Sequence, residues 1–119
     1  MKHKVSELEG ALLDAAVAKA ERLRHIDVDD SPHTGWYELP NGAVIGVRDY
    51  APSTDWSLGG PIIEREQIAV AYHPLVEHWA ACGNGHRWLG LMNATGPTPL
   101  IAAMRAYVAS KLGEEVELP

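Results

Sequence analysis

Apolar positions recur at three- and four-residue steps near both ends of the chain and alternate in shorter blocks between them. Leu8, Leu12, Ala15, Ala16 and Leu23 predict an N-terminal helix, with Glu9, Lys19, Glu21 and Arg22 mostly off its apolar face. Ser6 to Glu9 (SELE) has the spacing of a capping box, in which hydroxyl and carboxylate each satisfy an orphan N–H. Many contact positions are alanine, so whatever packs there comes close. The helix should fade near Arg24 to Ile26. At the other end Leu100, Ala103, Met104, Tyr107, Val108 and Leu112 predict a second helix. Thr98 serves as its N-cap, Pro99 as its first helical residue and Gly113 as its left-handed stop. Arg105 lies off that stripe, which predicts a solvated or edge-paired cation, or else a ligand contact.

Between the helices the period changes. Thr34 to Arg48 reads as a hairpin about Asn41-Gly42, a two-residue turn whose positions both need positive φ. Pairing outward sets Leu39 against Val44 and Tyr37 against Gly46 on one face, and Glu38 against Ile45 and Trp36 against Val47 on the other. Both faces carry large apolar groups, which predicts a sheet covered on both sides. Ile68 to Tyr72 reads as a further strand ended by His73-Pro74. Val76 to Cys82 and His86 to Met92 predict a second hairpin around Gly83-Asn84-Gly85, with Trp79 and Trp88 in the sheet. Val116 to Pro119 could add an edge strand. The fold class expected is α+β: an antiparallel sheet of about four to five strands flanked by an N-terminal and a C-terminal helix, an α/β sandwich. An alternative puts both helices on one face and leaves the other for a partner chain, in which case a homodimer supplies the cover.

The densest stretch, Asp49 to Gln67 (DYAPSTDWSLGGPIIEREQ), connects the hairpin to the next strand. Its turn formers ask for one specific backbone path. Pro61 stands where a short helix could start, with Ile62 and Ile63 inward and Glu64 and Glu66 in the first turns.

Composition narrows the classes. All 119 residues fit a single domain, 1–119, whose formal charge of −6 argues against a general phosphate-backbone binder. Cys82 is the only cysteine, which excludes an internal disulfide and a cysteine-based zinc cluster. Basic Met1 to Lys4 is followed by Glu7, Glu9 and Asp14 rather than an apolar run. No signal peptide and no membrane span are expected, and the protein is read as cytosolic.

Chemistry-bearing motifs are sparse. The acidic loop Asp27 to Pro32 lacks the glycine and distal glutamate of an EF-hand. No phosphate loop, HExxH, GxSxG or metal-spaced cysteine pair occurs, and no cofactor is implied. Catalysis would have to recruit Ser53 or Thr54 beside Asp55 or His73; otherwise Ser53-Thr54-Asp55 is a set of turn and cap acceptors. Gly59-Gly60-Pro61 and Thr95-Gly96-Pro97-Thr98 both read as helix entrances, which favour anions. If they adjoin, with Tyr50 and Trp56 as stacking surfaces and Arg105 as a charge, they could hold a small phosphorylated or nucleotide-like ligand.

Three blocks, VSELEGALLDAAVAKAE, YAPSTDWSLGGPIIERE and GPTPLIAAMRAYVASKLG, resemble in sequence and order the NinX-type family of small phage and prophage proteins, a domain of unknown function. They cover a little over two fifths of the chain. That family commonly carries an aromatic residue about where Ala15 and Ala16 stand, so a pocket lined by it would be altered in this chain. The resemblance implies a phage-encoded accessory protein acting in the cytosol of the bacterial host, and it carries no activity with it.

The reading that follows is a non-enzymatic binding module acting on a host or phage protein. Its alternative is a protein that sequesters a small anionic, nucleotide-like host defence signal. The candidate contact residues are Tyr50, Ser53, Thr54, Asp55, Trp56, Gly59, Gly60 and Arg105, with no metal site and no membrane partner.

Overall fold

The computed structural model describes residues 1–82 and 94–119. In chain order, β1 (Lys2–Lys4) and a 3₁₀ turn (Val5–Glu7) precede α1 (Gly10–Ala20). Three short strands follow, β2 (Arg24–Ile26), β3 (Trp36–Glu38) and β4 (Val44–Gly46), and then α2 (Trp56–Glu66). The remainder is β5 (Ala69–His73), β6 (His78–Cys82), β7 (Ala94–Gly96), α3 (Pro99–Leu112) and β8 (Glu115–Glu117).

The core is built on α3, where every residue from Leu100 to Val108 is buried. A helix that is apolar all round must be enclosed. Ala102, Ala103 and Ala106 let its neighbours approach closely, and α1, α2, the β5–β6–β7 sheet and the 3₁₀ turn pack around it. Thr98 caps it as expected, its Oγ1 accepting the Ile101 N–H at 3.1 Å.

The class is α+β, and among the described residues the strands pair antiparallel in three small sheets rather than one: β1–β8, β2–β3–β4 and β5–β6–β7. Short strands interrupted by glycine and proline cannot extend one ladder. The tail strand pairs with Lys2–Lys4 at the other end of the chain, through His3 opposite Val116.

Several local expectations are corrected. The first helix has no capping box: Ser6 lies in the 3₁₀ turn and Glu9 is an N-cap without a side-chain bond. Leu12 is exposed, and Leu13, Ala16, Val17 and Ala18 form the buried face. The first hairpin is shifted by one residue, pairing Trp36 with Gly46, Tyr37 with Ile45 and Glu38 with Val44. The reason is Pro40, whose fixed φ suits the first central position of an ordinary turn. Gly42 N–H then donates to Leu39 O at 2.9 Å, and Gly42 alone takes positive φ, at 88°.

That register puts Tyr37 and Ile45 on the inner face and leaves the outer one uncovered, with Trp36 47% and Val44 55% exposed. The ring over Gly46 is Trp36, 3.8 Å from a Cβ built there. In the other sheet β6 pairs with β5 through the turn at Pro74–Glu77. The predicted strand His86 to Met92, its turn and Trp88 lie outside the described residues.

Candidate functional site

The stretch from Asp49 to Gln67 follows a path held by local hydrogen bonds. Gly46 O accepts the N–H groups of Asp49 and Tyr50, and Ala51 O accepts those of Thr54 and Asp55. Asp55 then caps α2, its Oδ1 accepting from Ser57 N at 2.9 Å and Ser57 Oγ at 2.7 Å. Those Ser57 bonds, side chain first, hold the Asp55 carboxyl below its ordinary range. The helix therefore starts at Trp56, not Pro61, which sits inside it. Gly59 is the close-approach point: a Cβ there would stand 2.5 Å from Pro52 O and 2.7 Å from Leu100 Cδ2. Among the described residues Gly60 meets only Trp56 Cε3, at 4.0 Å.

The entrances of α2 and α3 do adjoin, around a notch of about 220 Å³ lined by Ser53, Thr54, Trp56 and Thr98–Ile101. Trp56 is exposed beside it. The first-turn N–H groups are partnered from within, those of Ser57 and Gly59 by Asp55 and those of Ile101 and Ala102 by Thr98.

Tyr50 and Arg105 lie elsewhere. Arg105 is a buried clamp, 9% exposed, whose Nε donates to Leu8 O at 2.8 Å and whose Nη1 donates to Thr95 O at 2.9 Å. Burial pulls its pKa down, and nearby Glu9 opposes that. The expectation of a solvated cation is thus corrected: its two strong donors join the 3₁₀ turn to β7. Tyr50 is buried edge-on to Tyr37, with ring centres 5.5 Å apart. Burial, then the charges of Glu21 and other neighbours, push its phenol well up.

Tyr50 leads to a groove that sequence reasoning missed. It runs between α1 and the 27–34 loop. Two cavities of about 350 and 250 Å³ share Ala11, Ala15, Pro32, His33 and Tyr37. The larger adds Asp14, Arg48 and Tyr50; the smaller adds Leu12, Leu23, His25 and Leu118 among others. The small alanine side chains of α1 leave the space above the floor open. Thr34 closes the loop by bonding Asp29 Oδ1, and His25 Nε2 lies 2.6 Å from Thr34 O.

Asp14 stands at the inner end. Its Oδ1 accepts the Ser53 N–H at 2.9 Å, while the buried Ser53 hydroxyl beside it has no bond of ordinary geometry. Burial pushes the Asp14 carboxyl up, and the Ser53 contacts only partly offset it. The signal in the sequence was a lone carboxylate inside an alanine-rich helical segment.

Fold and groove together define the class: a small α+β domain around an enclosed helix, with an open trough along its first helix. The chain belongs to the family described as Bacteriophage P22, NinX, whose model matches residues 4–111. Comparison with curated proteins gives no match. Among the described residues, no helix is long and apolar enough to cross a membrane.

Proposed function

We propose that the chain is a phage accessory module that binds a host or phage protein in the bacterial cytosol through the groove along α1. The observation that carries this reading is that the two cavities adjoin, sharing Ala11, Ala15, Pro32, His33 and Tyr37 as lining. A concave surface with an apolar floor, aromatic walls and a few polar groups is the usual form of a recognition site. Its small floor residues admit anchor side chains from a partner.

Ala15 lines both cavities, so Ala15→Trp would obstruct both. In quantitative capture from phage-infected cells, a partner held by the wild type should be lost with Ala15→Trp at unchanged fold by circular dichroism. Equal recovery by the two proteins would reject the groove as the contact surface.

The outer face of β2–β3–β4 supports a second reading. Trp36 and Val44 are exposed there beside an Arg24–Glu38 ion pair at 3.4 Å, an arrangement that a two-fold copy of itself can match. Light scattering should then report a dimer that Val44→Glu converts to monomer. A monomeric wild type at high concentration rejects it.

A further inference from the structure

We infer that the inner end of the groove receives a basic side chain of the protein partner, with Asp14 as counter-ion and Tyr37 and Tyr50 as its aromatic wall. This rests on the groove being the binding surface, and it specifies the chemistry of one subsite.

Asp14 is aimed by its bond to the Ser53 N–H, which fixes one oxygen at 2.9 Å. Among the described residues it forms no ion pair, although its side chain is half removed from water. A partly desolvated carboxylate held by one backbone N–H, with the Ser53 hydroxyl as its other polar neighbour, is incompletely compensated, and a charge-assisted bond from an ammonium or guanidinium is the interaction that compensates it best. The raised carboxyl pKa reports the same imbalance.

The surroundings suit a cation on a long apolar stem. Two tyrosine rings meet at 72° in the same cavity, and aromatic surfaces attract cations through their electron-rich faces. A volume of about 350 Å³ leaves room for a lysine or arginine stem. Ala11 and Ala15 would line that stem.

Arg48 and His33 also border this cavity, both exposed. The Arg48 guanidinium opposes the approach of a free polycation. A single basic residue carried on a protein of mixed charge, with acidic neighbours near the rim, is the occupant that satisfies both rim and floor.

The test is an NMR titration of the intact protein with N-acetyl-lysine methylamide, its analogue lacking the ammonium, N-acetyl-norleucine methylamide, and spermidine. The lysine amide should shift the Ala11, Ala15 and Tyr37 signals saturably, and bind about fivefold or more tighter than the norleucine amide. Asp14→Asn, whose amide oxygen can still accept the Ser53 N–H, should abolish that preference. Equal binding of the two amides, no shift at these signals, or an unchanged preference in Asp14→Asn would overturn the inference. Tighter binding of spermidine than of the lysine amide would overturn the assignment to a protein side chain. Loss of partner capture with Ala15→Trp but not with Asp14→Asn would keep the groove and remove the cation subsite; loss with neither removes both.

Discussion

Asp14 Oδ1 accepts the backbone N–H of Ser53 at 2.9 Å, tying the middle of α1 to the turn that leads into α2. Ser53 is buried, so an acceptor there is required, but a charged one is not. A carboxyl whose pKa is raised on folding gives stability that is present below its unfolded value, about 3.9, and lost as pH rises through the folded one. Asp14→Asn should therefore be at least as stable as the wild type at pH 7, with the advantage gone near pH 3. Asp14→Ala removes the acceptor and should fall about 1–2 kcal/mol below Asp14→Asn. Thermal unfolding of the three proteins between pH 3 and 8 checks both statements. A carboxylate kept where an amide is the more stable choice also fits a role in binding.

Gly59 and Gly60 are neighbours in α2 with opposite tolerance. A methyl group at Gly59 would press on the Pro52 carbonyl at 2.5 Å, which cannot yield without shifting the turn before α2, and on the Leu100 side chain at 2.7 Å. Gly59→Ala should cost about 1–3 kcal/mol. Gly60 has an open neighbourhood, so Gly60→Ala should be neutral or stabilise by about 0.5–1 kcal/mol through helix propensity. Urea midpoints distinguish them, and similar effects at both sites would mean that α2 does not lie against Pro52 and Leu100 as described.

Arg105 holds two carbonyls on separate elements through one planar group. Lysine keeps the charge but cannot reproduce that two-pronged geometry. Arg105→Lys should destabilise the fold by about 1–3 kcal/mol, because hydrogen bonds from a charged donor are the stronger kind and a buried carbonyl is left unpaired. A chemical denaturation curve provides the measurement; an unchanged midpoint would contradict a clamp role.

These cases show what the sequence could and could not disclose. Local chemistry was legible: Thr98 and Pro99 start α3, Pro74 ends β5, and the glycine-rich connection is ordered. Helix periodicity, however, does not say how many faces are covered. The α3 stripe looked amphipathic because Arg105 interrupted it, yet that cation turns inward to carbonyls supplied by Leu8 and Thr95, remote in sequence. The hairpin slipped by one because Asn-Gly is a strong turn signal and Pro40 just before it a stronger geometric constraint. The groove was hidden for a related reason. Its floor is alanine and its walls come from α1, the 27–34 loop and β3, so no single segment carries its signature.

Three helices are joined at one polar node. Arg65 on α2 donates Nη1 and Nη2 to the two oxygens of Glu21 at 3.1 and 2.6 Å, and its Nε to Glu66 at 2.9 Å. The Tyr107 hydroxyl on α3 donates to the same Glu21 carboxylate, and the Arg65 guanidinium lies 5.7 Å from the centre of its ring. Burial first, and then the bond to Glu21, push the Tyr107 phenol well above its ordinary range; burial does the same to Tyr50 and raises Tyr37. A tyrosine with a raised folded pKa contributes stability that is complete below its unfolded value, about 10, and is lost as pH rises past it. The wild type should therefore lose thermal stability steeply above about pH 10. Tyr107→Phe should lose about 1 kcal/mol at pH 7 with the Glu21 bond and then decline less steeply in base. Unfolding temperatures from pH 8 to 11 measure both slopes, and parallel curves would mean that Tyr107 ionises as readily in the folded chain as in the unfolded one.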